Sequence, residues 1–213
     1  MRVVEIFKSI DGEGIRAGFP VTFIRLAGCN LKCSYCDSQY ACQGVLGYPD
    51  MSIEQIVRKV YELGCKRITL TGGEPLIHED VTKLIYVLRN LDFKVNIETN
   101  GSQDIRPYVK CKDIIITLDY KCPTSGMESK MALYNLPCLR KTDVLKFVVG
   151  SKEDLDVCKR ISKFTRAQVF ISPVFGKIEP KEIVEYMLEN DMDNCRIQLQ
   201  LHKYIWDPNE RGV

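Results

Sequence analysis

Three cysteines stand close together in the segment Gly28-Cys29-Asn30-Leu31-Lys32-Cys33-Ser34-Tyr35-Cys36-Asp37-Ser38. Cys29, Cys33 and Cys36 are separated by three and then two residues, which brings three thiolates within reach of one inorganic centre and leaves a fourth position to something else. In an iron–sulfur cube that position is an iron open to a small molecule. In a structural zinc site a fourth protein ligand closes the tetrahedron, and Cys42 is the candidate. The polar residues between the thiols make a poor core segment, which argues against simple burial of all three.

Other polar clusters follow apolar runs. Thr71-Gly72-Gly73-Glu74-Pro75 offers glycines that let backbone approach a ligand and a carboxylate suited to an ammonium group; a tight turn before a helix explains it equally well on local grounds. Glu98-Thr99-Asn100-Gly101 supplies hydrogen-bonding groups, or an Asn-Gly turn. Asp119-Tyr120-Lys121-Cys122-Pro123-Thr124-Ser125-Gly126-Met127 holds an acid, a base and hydroxyls before a glycine, and Ser172-Pro173 ends a further run. Arg25 lies inside the apolar stretch Phe23-Ile24-Arg25-Leu26. A cation there is costly unless it is paired or faces a polar cavity, and Glu13 is its natural partner or co-ligand.

The elements that must carry these groups alternate. Short runs rich in Val, Ile and Phe occupy 2–7, 21–26, 67–71, 94–98, 113–119, 143–149, 167–172 and 196–200, and the first is expected beside the second. Amphipathic helical patterns fall between them: Ile53, Ile56, Val57, Val60 and Leu63 after the capping pair Ser52 and Gln55, with Gly64 as stop; then Val81–Leu88, Leu155–Ile161 and Ile183–Leu188. Strand–helix alternation predicts a parallel sheet with crossover helices. A partial, open α/β barrel of about six strands fits, with a doubly wound sheet as its rival. A barrel requires the chemistry to sit at the C-terminal ends of strands, where each polar cluster falls.

Composition excludes several classes. Lys+Arg 30 against Asp+Glu 28 leaves a formal net charge of +2, so no field of one sign suggests a nucleic-acid or membrane partner. Hydrophobic residues at 45% and charged residues at 27% are an ordinary globular mixture and exclude disorder. No run approaches the ~20 apolar residues of a membrane helix, and no signal-peptide stretch opens the chain, so a cytoplasmic protein is expected. Ten cysteines then point to metal ligation, reactive thiols or packing rather than a disulfide framework. Cys42, Cys65, Cys111, Cys122, Cys138, Cys158 and Cys195 form no second close triad, so no auxiliary cluster is expected.

The cysteine spacing, with Tyr35 before its last member, resembles the radical S-adenosylmethionine (SAM) superfamily. There such a triad binds a [4Fe–4S] cluster whose fourth iron holds the amino and carboxylate groups of SAM, and reductive cleavage gives a 5′-deoxyadenosyl radical. Within that superfamily the chain is similar over nearly its whole length to the 7-carboxy-7-deazaguanine synthase family. That family carries EIFxSxxGEG, FIRLxGCNLxCxxCD, TGGEP, ETNG, DxKxPxSGM and QLHKxxW segments, found here beginning at Glu5, Phe23, Thr71, Glu98, Asp119 and Gln200.

The resemblance implies one radical SAM domain over residues 1–213 with an N-terminal substrate-binding segment, a [4Fe–4S] cluster, SAM used catalytically, and Mg2+. It implies ring contraction of 6-carboxy-5,6,7,8-tetrahydropterin to 7-carboxy-7-deazaguanine with loss of ammonia, a product feeding queuosine or archaeosine, a homodimer, and a flavodoxin- or ferredoxin-type reductant. On this pattern Cys29, Cys33 and Cys36 hold the cluster, and Gly73, Glu74, Glu98, Asn100 and Ser172 line SAM. Ser38 meets Mg2+, a role that a helix cap or turn residue rivals on local grounds. Asp11, Gly12, Glu13, Arg25, Lys121 and His202 face the substrate, although a lone His is more often packed than liganding. Asp11 departs from the family, where many members have Gln. A glycyl-radical-enzyme activase, which shares the triad, and a zinc-stabilised binding module are the alternatives.

Overall fold

A computed structural model describes residues 1–42, 45–207 and 210–213. The strands are β1 (Val3–Ile10), β2 (Pro20–Leu26), β3 (Arg67–Gly72), β4 (Lys94–Thr99), β5 (Ile114–Tyr120), β6 (Val144–Val149), β7 (Gln168–Pro173) and β8 (Cys195–Ile197). The helices are α1 (Gln39–Cys42), α2 (Ile53–Leu63), α3 (Val81–Asn90), α4 (Arg106–Val109), α5 (Lys152–Ile161), α6 (Pro180–Glu189) and α7 (His202–Ile205).

All eight strands join one open sheet in sequence order, with β1 and β8 at its edges. The order β1 to β8 has no reversal point, which excludes the doubly wound rival. Residues 11–19 are too short a link for a crossover, so β1 runs antiparallel to β2, Ile6 opposite Ile24. From β2 onward every pair is parallel, and the C-terminal ends of β2–β8 share one rim.

The predicted helices form where the pattern placed them. Ser52 and Gln55 complete a reciprocal capping box for α2, and Gly64 closes that helix at φ 66, a left-handed conformation a glycine adopts without penalty. Ile56 and Val60 of α2, and Leu84, Ile85 and Leu88 of α3, are fully buried against the sheet. The alternation lapses in two places. Between β4 and β5 only the four-residue α4 intervenes, and between β5 and β6 the chain makes three 3-10 turns, Pro123–Ser125, Glu128–Lys130 and Leu133–Cys138. Pro123, Pro137 and the left-handed Gly126 keep that connection from becoming a longer helix. Strand β8 is shorter than the 196–200 run, and just past its end Gln198 turns its side chain to Gly14, accepting from its N–H at 2.7 Å and donating to its carbonyl at 3.0 Å.

The mouth at the N-terminal strand ends is closed by a buried ion pair. Arg16 Nε donates to Asp11 Oδ2 at 2.7 Å, while its terminal nitrogens reach the Lys94 and Ile68 carbonyls at 3.1 and 3.0 Å. Thr69 donates to the other Asp11 oxygen at 2.6 Å. Asp11 is therefore placed away from the C-terminal rim, with both carboxylate oxygens occupied, and the expected contact with substrate is replaced by a structural one. Burial pushes its carboxyl up, against the pull of Arg16.

Removing one member of this pair strands the other. Arg16→Met is expected to cost about 3–5 kcal/mol in chemical denaturation, and Asp11→Leu/Arg16→Met together markedly less. A double variant at least as unstable as Arg16→Met contradicts this account of the plug.

Candidate active site

A cavity of about 1070 Å³ opens on the C-terminal rim, and Cys29, Cys33, Cys36, Ser38, Gly73, Glu98, Asn100, Lys121, Gly12, Glu13, Arg25 and His202 all line it. The topology thus brings together most of the residues singled out in the sequence. Asp11, Glu74 and Ser172 do not line it.

The thiol loop is shaped by backbone contact with the end of β3. Gly73 N–H donates to Leu26 carbonyl at 3.1 Å and Glu74 N–H to Gly28 carbonyl at 2.9 Å. A Cβ on Gly73 would lie 2.2 Å from the Gly28 carbonyl oxygen and 2.7 Å from Cys29 Cβ. Only a glycine fits there. The other side of the loop is tied to the β5–β6 connection, where Ser34 N–H and Oγ donate to the Ser125 and Thr124 carbonyls at 3.1 and 2.7 Å. Tyr35 donates to the Val148 carbonyl at 3.0 Å.

The three thiols are all free and part-exposed. Cys29 accepts from Leu31 N–H at 3.4 Å and Asn100 Nδ2 at 3.7 Å. Cys29 and Cys36 are each drawn down to about 6, chiefly by the Cys42 thiol hydrogen-bonding to them, and Cys42 is correspondingly pushed up. Burial pushes Cys33 up to about 11. Among the described residues no three His, Cys, Asp or Glu side chains converge as one metal ion requires. Three free thiols bordering one large cavity fit a multi-iron cluster with room for a further ligand beside it.

Glu74 takes a different part from the one expected of it. Its carboxylate is fully buried and accepts from Leu76 N–H at 3.0 Å and the Thr99 hydroxyl at 2.8 Å on one oxygen, and from Asn100 N–H at 2.6 Å on the other. It stitches the end of β3 to the end of β4 beneath the cavity and so places Asn100. Burial pushes it up to about 7, against those three donors. Ser172 is likewise buried, and its hydroxyl donates to Glu13 Oε1 at 3.2 Å.

Beside Cys33 the cavity is strongly charged. Lys146, on β6, donates to Glu13 Oε2 at 2.9 Å and pairs with Asp119 Oδ2 at 3.3 Å, and Lys121 pairs with that same Asp119 oxygen at 3.0 Å. Burial opposes the charge on Lys146, but Glu13, Asp119 and Glu98 outweigh it and hold Lys146 well above its ordinary value. Burial likewise works against ionised Asp119, and the two lysines more than offset it, leaving its carboxyl below the usual range. Its Oδ1 is buried with no hydrogen-bond partner among the described residues, although the residue borders the cavity. Glu98 is pushed up, first by burial and further by Asp11 and Glu13.

Arg25 is paired, but not with Glu13. Its Nε donates to Glu5 Oε1 at 2.7 Å, because β1 lies directly beside β2 and sets Glu5 opposite Arg25. His202 opens α7 against Gly12, where a Cβ would lie 2.3 Å from its Nδ1. Burial lowers its pKa and favours the neutral ring. Lys146 is a charged, buried cavity residue that the motifs missed. The signal was present: a lysine within the apolar run Val144–Val149 meets the same test that singled out Arg25.

Comparisons with known proteins agree with this geometry. The sequence model of the radical SAM superfamily matches residues 23–120. A 7-carboxy-7-deazaguanine synthase of Clostridium acetobutylicum is 43% identical over 100% of this chain and 99% of its own length. One from Methanospirillum hungatei is 41% identical over 98% of this chain and 86% of its own. The crystal structure of QueE from Escherichia coli superposes with a TM-score of 0.74, covering 93% of each chain at 22% identity, a likeness of fold.

Two outcomes test the construction of the site. Gly73→Ala is expected to lower iron retained after anaerobic reconstitution several-fold, whereas Gly47→Ala, in open space, leaves it unchanged; equal retention removes the close approach as a requirement. Glu74 keeps its proton in the folded state where the unfolded chain has lost it. Its contribution is therefore full below its ordinary value of 4.5 and is lost as pH rises to about 7, about 3 kcal/mol in all. Urea unfolding at about pH 5 and pH 8 should show this decline in the parent and not in Glu74→Gln; parallel slopes contradict it.

Proposed function

Because the chain belongs to the 7-carboxy-7-deazaguanine synthase family of radical SAM enzymes, we propose that it is a lyase converting 6-carboxy-5,6,7,8-tetrahydropterin to 7-carboxy-7-deazaguanine with loss of ammonia, in the biosynthesis of 7-deazapurines such as queuosine or archaeosine. The observation that carries this reading is a cavity lined by three thiols together with paired carboxylates and cations. The cofactors are a [4Fe–4S] cluster and SAM. When bound they supply the electron and the hydrogen-abstracting group that begin the rearrangement.

The residues of this chain bind and orient. Cys29, Cys33 and Cys36 hold the cluster, and Gly73, Glu98 and Asn100 line the space for SAM. Glu74 acts through Asn100, and Ser172 through Glu13. Glu13 accepts hydrogen bonds from the amino-pyrimidine edge of the pterin. Arg25, steadied at Nε by Glu5, turns its remaining donors to the substrate carboxylate. Ser38, 3.7 Å from Cys36 Sγ, offers its hydroxyl to Mg2+, whose octahedron substrate carboxylate and water complete. Lys121 and neutral His202 close the polar side. Gly12 allows His202 to sit there.

The remaining parts of the reading are residues 1–213 working as one radical SAM domain, a homodimer, a flavodoxin- or ferredoxin-type electron donor, and a cytoplasmic setting. Free cysteines around an oxidisable cluster suit a reducing compartment. Among the described residues no helix is long and apolar enough to cross a membrane. The glycyl-radical activase and the zinc module are not favoured, since relatives aligning end to end carry the synthase name.

Anaerobic reconstituted protein with SAM, reductant, Mg2+ and 6-carboxytetrahydropterin is expected to form 7-carboxy-7-deazaguanine by mass spectrometry, many turnovers per SAM. Cys33→Ala should abolish cluster and product. SAM cleavage without a deazapurine would assign another substrate, and a colourless zinc-loaded protein without cleavage would overturn the enzyme reading.

A further inference from the structure

Lys146 stands at the middle of the charged wall, and its environment defines a task. It occupies a buried strand with Asp119 of β5 and Phe170 of β7 as register neighbours. Its side chain is 8% exposed, and its ammonium is gripped by Glu13 at 2.9 Å and Asp119 at 3.3 Å. Glu13 has no comparable local support. It precedes a short turn at Gly14–Arg16 with extended backbone and caps none of that turn's N–H groups with its side chain. Two side chains, Lys146 on Oε2 and Ser172 on Oε1, fix where its carboxylate points.

We propose that Lys146 is a positioning residue for substrate recognition, fixing the Glu13 carboxylate so that both oxygens face the paired N–H donors of the pterin's amino-pyrimidine edge. This rests on the function proposed above. A carboxylate has about four acceptor sites; Lys146 and Ser172 use one on each oxygen, leaving one on each for a ligand with two parallel donors. The same ammonium offsets the repulsion among Glu13, Glu98 and Asp119, which converge on this part of the cavity. Without it, Glu13 has the repulsion of Glu98 unbalanced and a single neutral hydroxyl to hold it. Lys146 acts through Glu13, which it bonds directly, and reaches the SAM space through the charge of Glu98, so its removal weakens the pterin more than SAM.

The test is equilibrium dialysis of the oxidised analogue 6-carboxypterin against the anaerobically reconstituted protein, with SAM affinity measured in parallel. Lys146→Met should weaken pterin binding by about tenfold or more, and SAM binding by a clearly smaller factor. In turnover, KM should rise more than kcat falls. The double variant Glu13→Gln/Lys146→Met should bind the pterin no worse than Glu13→Gln alone, the mark of one residue acting through the other. Should Met at 146 not fold, Lys146→Gln, which keeps a donor and most of the stem without the charge, gives the same comparison. Unchanged pterin affinity in the variant that folds, or additive losses in the double variant, overturns the proposal. A parent that binds SAM but no pterin instead overturns the proposed function, and this inference falls with it.

Discussion

The site is built on a contact between two pieces of backbone. At the end of β3, Gly72 and Gly73 lie so close to the chain leaving β2 that a Cβ on either would stand 2.2 Å from a carbonyl oxygen, that of Leu26 for the first and of Gly28 for the second. This approach fixes the start of the thiol loop on a rigid parallel pair. Glu74 then continues the tie outward: its buried carboxylate takes N–H groups from its own turn and from Asn100, and Asn100 in turn touches Cys29. Three strand ends are locked to one another before any ligand is considered. Pre-set geometry of this kind spares the ordering cost that a loose cysteine loop would incur on loading.

Charge is handled in two separate compartments. At the N-terminal strand ends Asp11 and Arg16 satisfy each other, Arg16 also reaches nearby carbonyls, and both carboxylate oxygens are bonded within the protein. At the C-terminal rim the ions are gathered but not exhausted: Asp119 Oδ1 has no partner among the described residues, and Lys121, Lys146, Glu13 and Glu98 all border open space. Buried charge that is fully paired serves the fold, whereas buried charge left partly unmatched beside a cavity is an expense tolerated for binding.

Much of this was legible in the sequence. Hydrophobic periodicity located every strand and the four longer helices, because burial against one sheet imposes that periodicity directly. The spacing of Cys29, Cys33 and Cys36, and the placement of polar clusters after apolar runs, located the rim. Side-chain direction was harder to read. Glu74 belongs to a motif that suggests ligand contact, yet its carboxylate turns into the protein, because three donors there outbid a solvent-facing cavity. Asp11 lies two residues from Glu13 but bonds to Arg16 and Thr69, while Glu13 bonds to Lys146 and Ser172. The partner of Arg25 depended on antiparallel register, which placed Glu5 beside it and left Glu13 to Lys146. Such pairings are set by neighbours distant in sequence, and no local pattern carries them.

The hairpin of residues 11–19 joins these compartments in one stretch of chain. Within it, Asp11 and Arg16 seal the floor while Gly12 and Glu13 meet the cavity. A substitution that reshapes the hairpin to admit a different ring system would therefore also shift the seal, so altered selectivity and loss of fold arrive together. Strands β6 and β7 carry Lys146 and Ser172 on backbone independent of that seal. Variation in what the pocket accepts is cheaper there, and in a lineage adapting this scaffold to new heterocycles the opening hairpin would be the last part to change.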